Sequence, residues 1–277
     1  THPLLAESVT QFQAQAYKEL LPASGPVRAQ VIGLATKEKE DQAQRVVEFM
    51  NYQMMHVMEE YDPELDQMLF YLPLSGSTFK KIYYDSNLGR AVSKFVPSED
   101  LVVPYTATNL EECERVTHVL KRTENDIKKM QVTGFYRDIA LQPSEEDQNK
   151  VEEKERKLSG VEKNSYKDDQ YTLLEMHVDL DVEGFEHPDG IKLPYIVTID
   201  EGSGEVLSIY RNYDQADNLF KKQQYFVHYK FMPGLGFYGL GLIHMIGGLS
   251  RTATAALRQL IDAGTLANLP AGFKARG

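Results

Sequence analysis

Gly234-Leu-Gly-Phe-Tyr-Gly-Leu-Gly-Leu-Ile-His-Met-Ile-Gly-Gly248 runs from the end of a strand-like stretch into a long helical one, and the use made of its glycines decides between two folds. Gly234, Gly236 and Gly239 spell a literal G-x-G-x-x-G. Between a strand and a helix, that spacing can bring backbone amides against a pyrophosphate, whose charge the helix N-terminus stabilises. The preceding Gln224-Tyr-Phe-Val-His-Tyr-Lys-Phe231 reads as such a strand. A dinucleotide-binding half also needs a second parallel strand with an acidic residue about 20 residues further on. Here the helical pattern continues to about Gly264, and Asp262 falls inside it. A nicotinamide or flavin dinucleotide-binding enzyme using Gly234–Gly239 is therefore kept only as the alternative, and no cofactor is expected.

The favoured use of the glycines is close packing. One face of the helix reads Gly241, His244, Gly248, Arg251, Ala255, Arg258 and Asp262, a stripe of small and polar side chains near coiled-coil period. Another reads Leu242, Ile246, Leu249, Ala253, Leu257 and Leu260. Glycines cost about 1 kcal/mol each against alanine inside a helix, so a helix that opens on several of them suits close approach to other helices. It reads as an assembly helix.

Outward from this stretch, the 277 residues contain no tryptophan, 42% hydrophobic and 26% charged residues, enough for a sizeable core in one large domain or two modest ones. No window reaches the roughly 18 apolar residues of a membrane span, and no membrane partner is expected. The opening Thr1-His-Pro-Leu-Leu-Ala-Glu7 lacks the basic and apolar regions of a secretory signal. The chain starts without methionine and ends on Phe273-Lys-Ala-Arg-Gly277, and is expected to be a piece of a longer protein. The single cysteine, Cys113, excludes an internal disulfide and a cysteine metal cluster, and reads as a structural thiol in a reducing compartment. A net charge of -11 argues against a general nucleic-acid coat, which needs clustered Lys and Arg. It is compatible with a wall past which DNA slides with few phosphate contacts.

The remaining pattern predicts helices first and strands second. Pro3 opens a helix with Leu5, Val9, Phe12, Ala16 and Leu20 on one face, ended by Pro22-Ala-Ser-Gly-Pro26. A short strand is expected at Val27–Ile32, and Thr36 should cap a longer helix burying Val46, Met50, Met54, Val57 and Tyr61. Met50, Met54, Met55, Met58 and Met68 read as core filling rather than as an adaptable binding surface. Thr78–Tyr84 and Arg90–Val96 flank Asp85-Ser-Asn-Leu-Gly89 as a hairpin. Further strands are expected at Asp100–Tyr105, Arg115–Lys121, Tyr171–Val178, Tyr195–Ile199 and Val206–Tyr210, and Thr123-Glu-Asn-Asp126 matches a capping box. The charged stretch 143–169 has no apolar periodicity and reads as a connector or insertion. The fold class is α+β, helices plus antiparallel strands ending in a long C-terminal helix. Two segments are expected: 1–232, an α+β domain with the charged stretch inserted, and 233–277, the glycine-rich segment with its helix.

Few residues look chemical. Asp179, Asp181, Glu183, Glu186, His187 and Asp189 crowd one loop, but their spacing fits neither an EF-hand nor a zinc motif, so a solvated loop outweighs a calcium-binding adhesion module. His118, His177 and His228 lie singly in strand-like runs. Neither G-x-S-x-G nor a P-loop occurs, so no catalytic, cofactor or metal residue is expected and the protein reads as no enzyme.

Several separated runs belong together: Leu4-Leu-Ala-Glu-Ser-Val-Thr-Gln-Phe-Gln-Ala-Gln-Ala-Tyr-Lys-Glu-Leu-Leu-Pro22, Leu72-Pro-Leu-Ser-Gly-Ser-Thr-Phe-Lys-Lys-Ile-Tyr-Tyr-Asp85, Val96-Pro-Ser-Glu-Asp-Leu-Val-Val103, Gly134-Phe-Tyr-Arg-Asp138 and Tyr238-Gly239 with the helix after it. Taken together they resemble the portal, or head-to-tail connector, proteins of tailed bacteriophages, of the short-tailed podovirus type. The resemblance implies a homo-oligomeric ring, typically a dodecamer, at one capsid vertex of the virion, assembled in the host cytoplasm. Double-stranded DNA would pass through it without sequence specificity during packaging and ejection. Terminase, a tail adaptor and capsid or scaffold proteins are the implied partners. On this resemblance, residues 1–232 look like the α+β wing and 233–277 lead toward the stem and clip. Gly239, Gly241, His244, Gly248, Arg251 and Arg258 become the candidate oligomer or channel contacts, the arginines favouring salt bridges between subunits over a ring of charge near DNA.

Overall fold

A computed structural model of the chain describes residues 3–141 and 170–268. The backbone forms two compact units: Thr1–Ser98 with Tyr225–Gly277, and Glu99–Gln224. The expected charged stretch at 143–169 lies outside the described residues, apart from which the expected α+β class holds, with five α-helices and antiparallel sheets among the described residues.

The first unit places helices on a three-stranded antiparallel sheet of order β2-β1-β8, where β1 is Ser77–Asp85, β2 Arg90–Pro97 and β8 Phe226–Lys230. The β1–β2 hairpin closes as its turn residues dictate. Asp85 Oδ1 accepts the Asn87 amide at 2.9 Å and Gly89 takes a φ of 65°. Helix α1, Leu4–Leu20, begins after Pro3. Val9 is buried, and Phe12, Ala16 and Tyr17 pack on Leu65, Met68 and Leu69, whereas Leu20 is exposed at the helix end.

Helix α3, Tyr61–Ser75, is the centre of this unit and was not expected as a separate element. Its Leu65, Met68 and Leu69 occupy i, i+3 and i+4 and are buried against Phe95 and Tyr229 of the sheet. Each such burial contributes about 1.5–3 kcal/mol. Pro73 forfeits the bond to the Leu69 carbonyl in the last turn, and Gly76 ends the helix in the left-handed region, φ 91°, donating its amide to the Leu72 carbonyl at 2.9 Å.

Two expectations fail upstream of it. Residues Val27–Ile32 form no strand: Ile32 is 94% exposed, and among the described residues no strand pairs with this stretch. The helix after Thr36 does form, as α2, Lys37–Tyr52, but it does not bury the predicted face. It passes into a π-helical turn, Gln53–Val57, and the chain turns before Tyr61, so Val46 and Met50 are exposed and Tyr61 belongs to α3. Of the methionines expected in the core, only Met68 is fully buried, because it alone sits on the helix that covers the sheet.

The second unit is a five-stranded antiparallel sheet of order β3-β4-β5-β6-β7, comprising Leu101–Val102, Arg115–Thr123, Gln170–Leu180, Leu193–Asp200 and Val206–Arg211. Strand alternation divides its core in two. Tyr171 and Leu173 pack with Leu207, Tyr136 and Ile127 of helix α4, Glu124–Val132. Met176, Val178 and Leu180 join Leu193, Tyr195 and Val197 on the other face. Helix α4 starts where the capping box predicts, with Thr123 Oγ1 accepting the Asp126 amide at 3.3 Å.

Candidate functional site

The segment that joins β8 to the last helix, α5 (Leu242–Asn268), is held by backbone contacts too close for any side chain. A Cβ on Gly241 would strike the Leu74 carbonyl oxygen, and one on Gly239 would strike the carbonyl oxygens of Gly76 and Met232. Gly76, already left-handed, faces the backbone of Gly239 to Gly241 in return. Glycine is needed at all three positions because two stretches of main chain touch there.

Four amides along this junction are bonded within the fold. Gly239 donates to Ser77 Oγ at 2.7 Å, Leu240 to the Met232 carbonyl at 2.8 Å, Gly241 to His244 Nδ1 at 3.1 Å and Phe231 to the Gly76 carbonyl at 3.0 Å. β8 itself runs antiparallel to β1. A dinucleotide site needs free amides beside a parallel strand, whereas here the strand is antiparallel, the Gly239 amide is taken, and a side chain at Gly234 or Gly239 would strike a backbone carbonyl; those two glycines serve packing, Gly236 meets nothing, and the alternative enzyme reading loses its basis. Sequence inspection missed Gly76 and Ser77 as counterparts of Gly239 because they lie more than 150 residues away, and Gly76 carries only the local signal of a helix C-cap.

His228 shows the chemistry of this junction. Its ring clusters with those of Phe79 and Phe237, centroids at 4.4 and 4.7 Å with the two phenyl rings 6.0 Å apart, and its Nε2 is 3.1 Å from Ser77 Oγ. Burial, followed by the nearby Lys230 charge, pulls its pKa down to about 4. The imidazole is thus neutral and holds the segment by packing. A second buried base lies beneath α3. Lys80 is 3% exposed, its Nζ sits 4.2 Å above the Tyr61 ring without a hydrogen-bond partner among the described residues, and burial lowers its pKa to about 8 against the raising effect of Glu64 and Glu60.

Helix α5 extends from the glycine junction for 27 residues, with none fully buried. It touches α1 and α3, and its half-buried residues, Leu242, Ile246, Gly247, Ser250, Ala253 and Thr254, trace that contact. The predicted apolar face is therefore only partly internal: Leu249, Leu257 and Leu260 are exposed, together with Ile243, Met245, Ile261 and Leu266.

The six predicted contact residues separate by position. Gly239 and Gly241 lie at the internal junction, and His244 caps the Gly241 amide. Gly248 opens onto empty space, and Arg251 and Arg258 are exposed further along the helix.

The other residues singled out by type are tied into the second unit. His177 Nε2 is 2.9 Å from Glu175 Oε1 in the sheet, and His118 is buried. In the acidic loop, Asp179 lies 3.6 Å from Lys222 Nζ, Glu186 accepts the Gly184 amide at 3.0 Å, and His187 Nδ1 accepts the Asp189 amide at 3.2 Å. Backbone donors hold the Glu186 carboxyl below its usual range. Among the described residues no three His, Cys, Asp or Glu side chains converge as metal ligands. Burial raises the pKa of the Cys113 thiol, which donates to the Arg115 carbonyl at 2.9 Å. Among the described residues no helix is long and apolar enough to cross a membrane.

A family model described as Phage SU10 portal protein matches residues 27–275. No curated protein matches the chain.

Proposed function

The chain belongs to the Phage SU10 portal protein family, and from that premise we propose that it is a subunit of a closed portal ring that forms the channel for double-stranded DNA. The role is structural, as it is for the family, and the ring sits at a capsid vertex of the virion. In this reading twelve copies surround the DNA during packaging and ejection, and the ring offers the docking point for terminase, tail adaptor and capsid or scaffold proteins. Residues 1–232 form the wing and 233–277 lead into the stem. Gly248, Arg251 and Arg258 meet neighbouring copies, while Gly239, Gly241 and His244 fix the angle at which the helix leaves the wing.

The observation that carries this reading is α5. It spans 27 residues with no fully buried side chain, and Ile243, Leu249, Leu257, Leu260, Ile261 and Leu266 stand exposed. A helix apolar on more than one face is stable in water when other copies cover it. A closed ring supplies that cover through one repeated contact, and the net charge of -11 limits the grip of the wall on phosphate.

Electron microscopy and native mass spectrometry of the protein test this. Rings of a single stoichiometry are expected, and a protein that stays monomeric at every concentration overturns the proposal.

A further inference from the structure

The turn Ile32-Gly33-Leu34 stands out from the first unit. Ile32 is 94% exposed and Leu34 81%. Gly33 takes a φ of 94° with no atom near its missing Cβ, and Lys39 Nζ donates to the Leu34 carbonyl at 3.3 Å. The base of the turn is fixed as well, since Asn51 Oδ1 accepts the Val27 amide at 2.9 Å and Asn51 Nδ2 donates to the Val27 carbonyl at 3.3 Å. Two branched apolar side chains are thus displayed to water on an anchored turn. Between Glu19 and Glu38 the sequence carries Arg28 and Lys37 and no acid, so the turn is basic.

The second unit holds a complementary shape. An open cavity of about 280 Å3 has Ile191, Pro194, Leu219 and Phe220 in its wall, and Leu219 is 73% exposed. Glu111, Glu112 and Glu114 also line it, against Lys192, while Lys222 is occupied by the Cys113 carbonyl at 2.7 Å. The wall is held in shape. Phe220 has a φ of 46°, which a bulky L-residue adopts only where its surroundings impose it. Here Asp217 accepts the Leu219 and Lys221 amides at 3.0 and 3.2 Å, and the Phe220 ring packs edge-on to His187 and Tyr213. The cavity is smaller than the roughly 300–1,000 Å3 of sites that enclose a drug-sized ligand.

We propose that the Ile32-Gly33-Leu34 turn of one copy inserts between Ile191, Leu219 and Phe220 of a second copy of this chain, a contact that presupposes the ring assembly proposed above. Apolar side chains on one surface meet an apolar wall on the other, and the basic flanks Arg28 and Lys37 meet the acidic edge at Glu111, Glu112 and Glu114. Turn and cavity are different surfaces, so the contact is head-to-tail, the kind that closes into a ring when its rotation closes. The charges act mainly on encounter rate and make it salt-sensitive.

Three variant sets test the contact by native mass spectrometry at fixed ionic strength. Ile32→Asp with Leu34→Asp leaves the melting temperature of the monomer unchanged, because neither side chain is buried, and weakens association by roughly 100-fold. Arg28→Glu with Lys37→Glu also weakens it, and Glu111→Lys with Glu112→Lys in the same chain restores it. Leu34→Cys with Ile191→Cys, in a Cys113→Ser background, gives a ladder of covalent multimers on oxidation. Rings that form normally with the aspartate variant and give no ladder with the cysteine pair overturn the turn-and-cavity contact and leave the portal reading standing. A wild-type protein that forms no rings removes both.

Discussion

At the scale of single residues, function is prepared by positions where the main chain leaves no room. Gly241→Ala drives a methyl group into the Leu74 carbonyl oxygen and is expected to cost about 2–3 kcal/mol in urea unfolding; an unchanged midpoint refutes the junction. Gly248→Ala meets nothing, so the monomer gains about 0.5–1 kcal/mol of helix propensity. Ring assembly by the same variant weakens if Gly248 lies against a neighbour, and native mass spectrometry reads the two effects apart. The buried bases give a pH signature. The Lys80 pKa is lowered to about 8, below its unfolded value of about 10.4. The unfolded chain therefore binds more protons between those limits, and stability rises as pH is raised from about 8 to 10.4. Lys80→Met removes that rise and adds about 2–3 kcal/mol at neutral pH. His228, at about 4 in the fold, works in the same direction at lower pH: stability falls as pH drops from about 6.5 toward 4. A melting curve flat across both windows contradicts the burial of the two groups.

At the scale of elements, α3 does more than cover the sheet. The outward amides of β2 would form an open edge, and two carboxylates one helical turn apart, Glu60 at the N-cap of α3 and Glu64 within it, close it: Glu60 Oε1 accepts the Ser93 amide at 3.3 Å and Glu64 Oε2 the Phe95 amide at 2.7 Å. Glu60 also pairs with Arg90 at 2.8 Å. Although burial opposes it, the Arg90 hydrogen bond and the backbone donors together hold its carboxyl below the usual range. Glu64→Ala is expected to cost about 1–3 kcal/mol, the penalty of an orphaned amide, and to raise hydrogen exchange at Phe95 ahead of its neighbours; unaltered exchange there rules out the sealing role. Strands were legible because alternation is local, and the β1–β2 hairpin and the α4 cap form where their residues indicate. The boundary between α2 and α3 was not legible. The methionines from Met50 to Met58 extend an apolar period across the break, and the start signal in Asp62-Pro63 was masked by that apparent continuity.

At the scale of the whole molecule, the proposed ring would cover the α5 leucines that are exposed in the single chain. Leu249→Gln with Leu260→Gln removes apolar side chains that are 63% and 72% exposed, so monomer stability should change by no more than about 0.5 kcal/mol while rings are lost; rings that persist exclude this face from assembly. The sequence by itself determined the α+β class, the positions of most strands along the chain, the long terminal helix and, through several separated runs, the likeness to portal proteins. These rest on periodicity, turn chemistry and motif, which are properties of neighbours along the chain. Tertiary structure alone decided that Gly239 and Gly241 meet Gly76, that α3 and not α2 carries the core, and which leucines of α5 remain in water. Those outcomes depend on which distant stretches come within contact distance, and no local pattern in the residues records it.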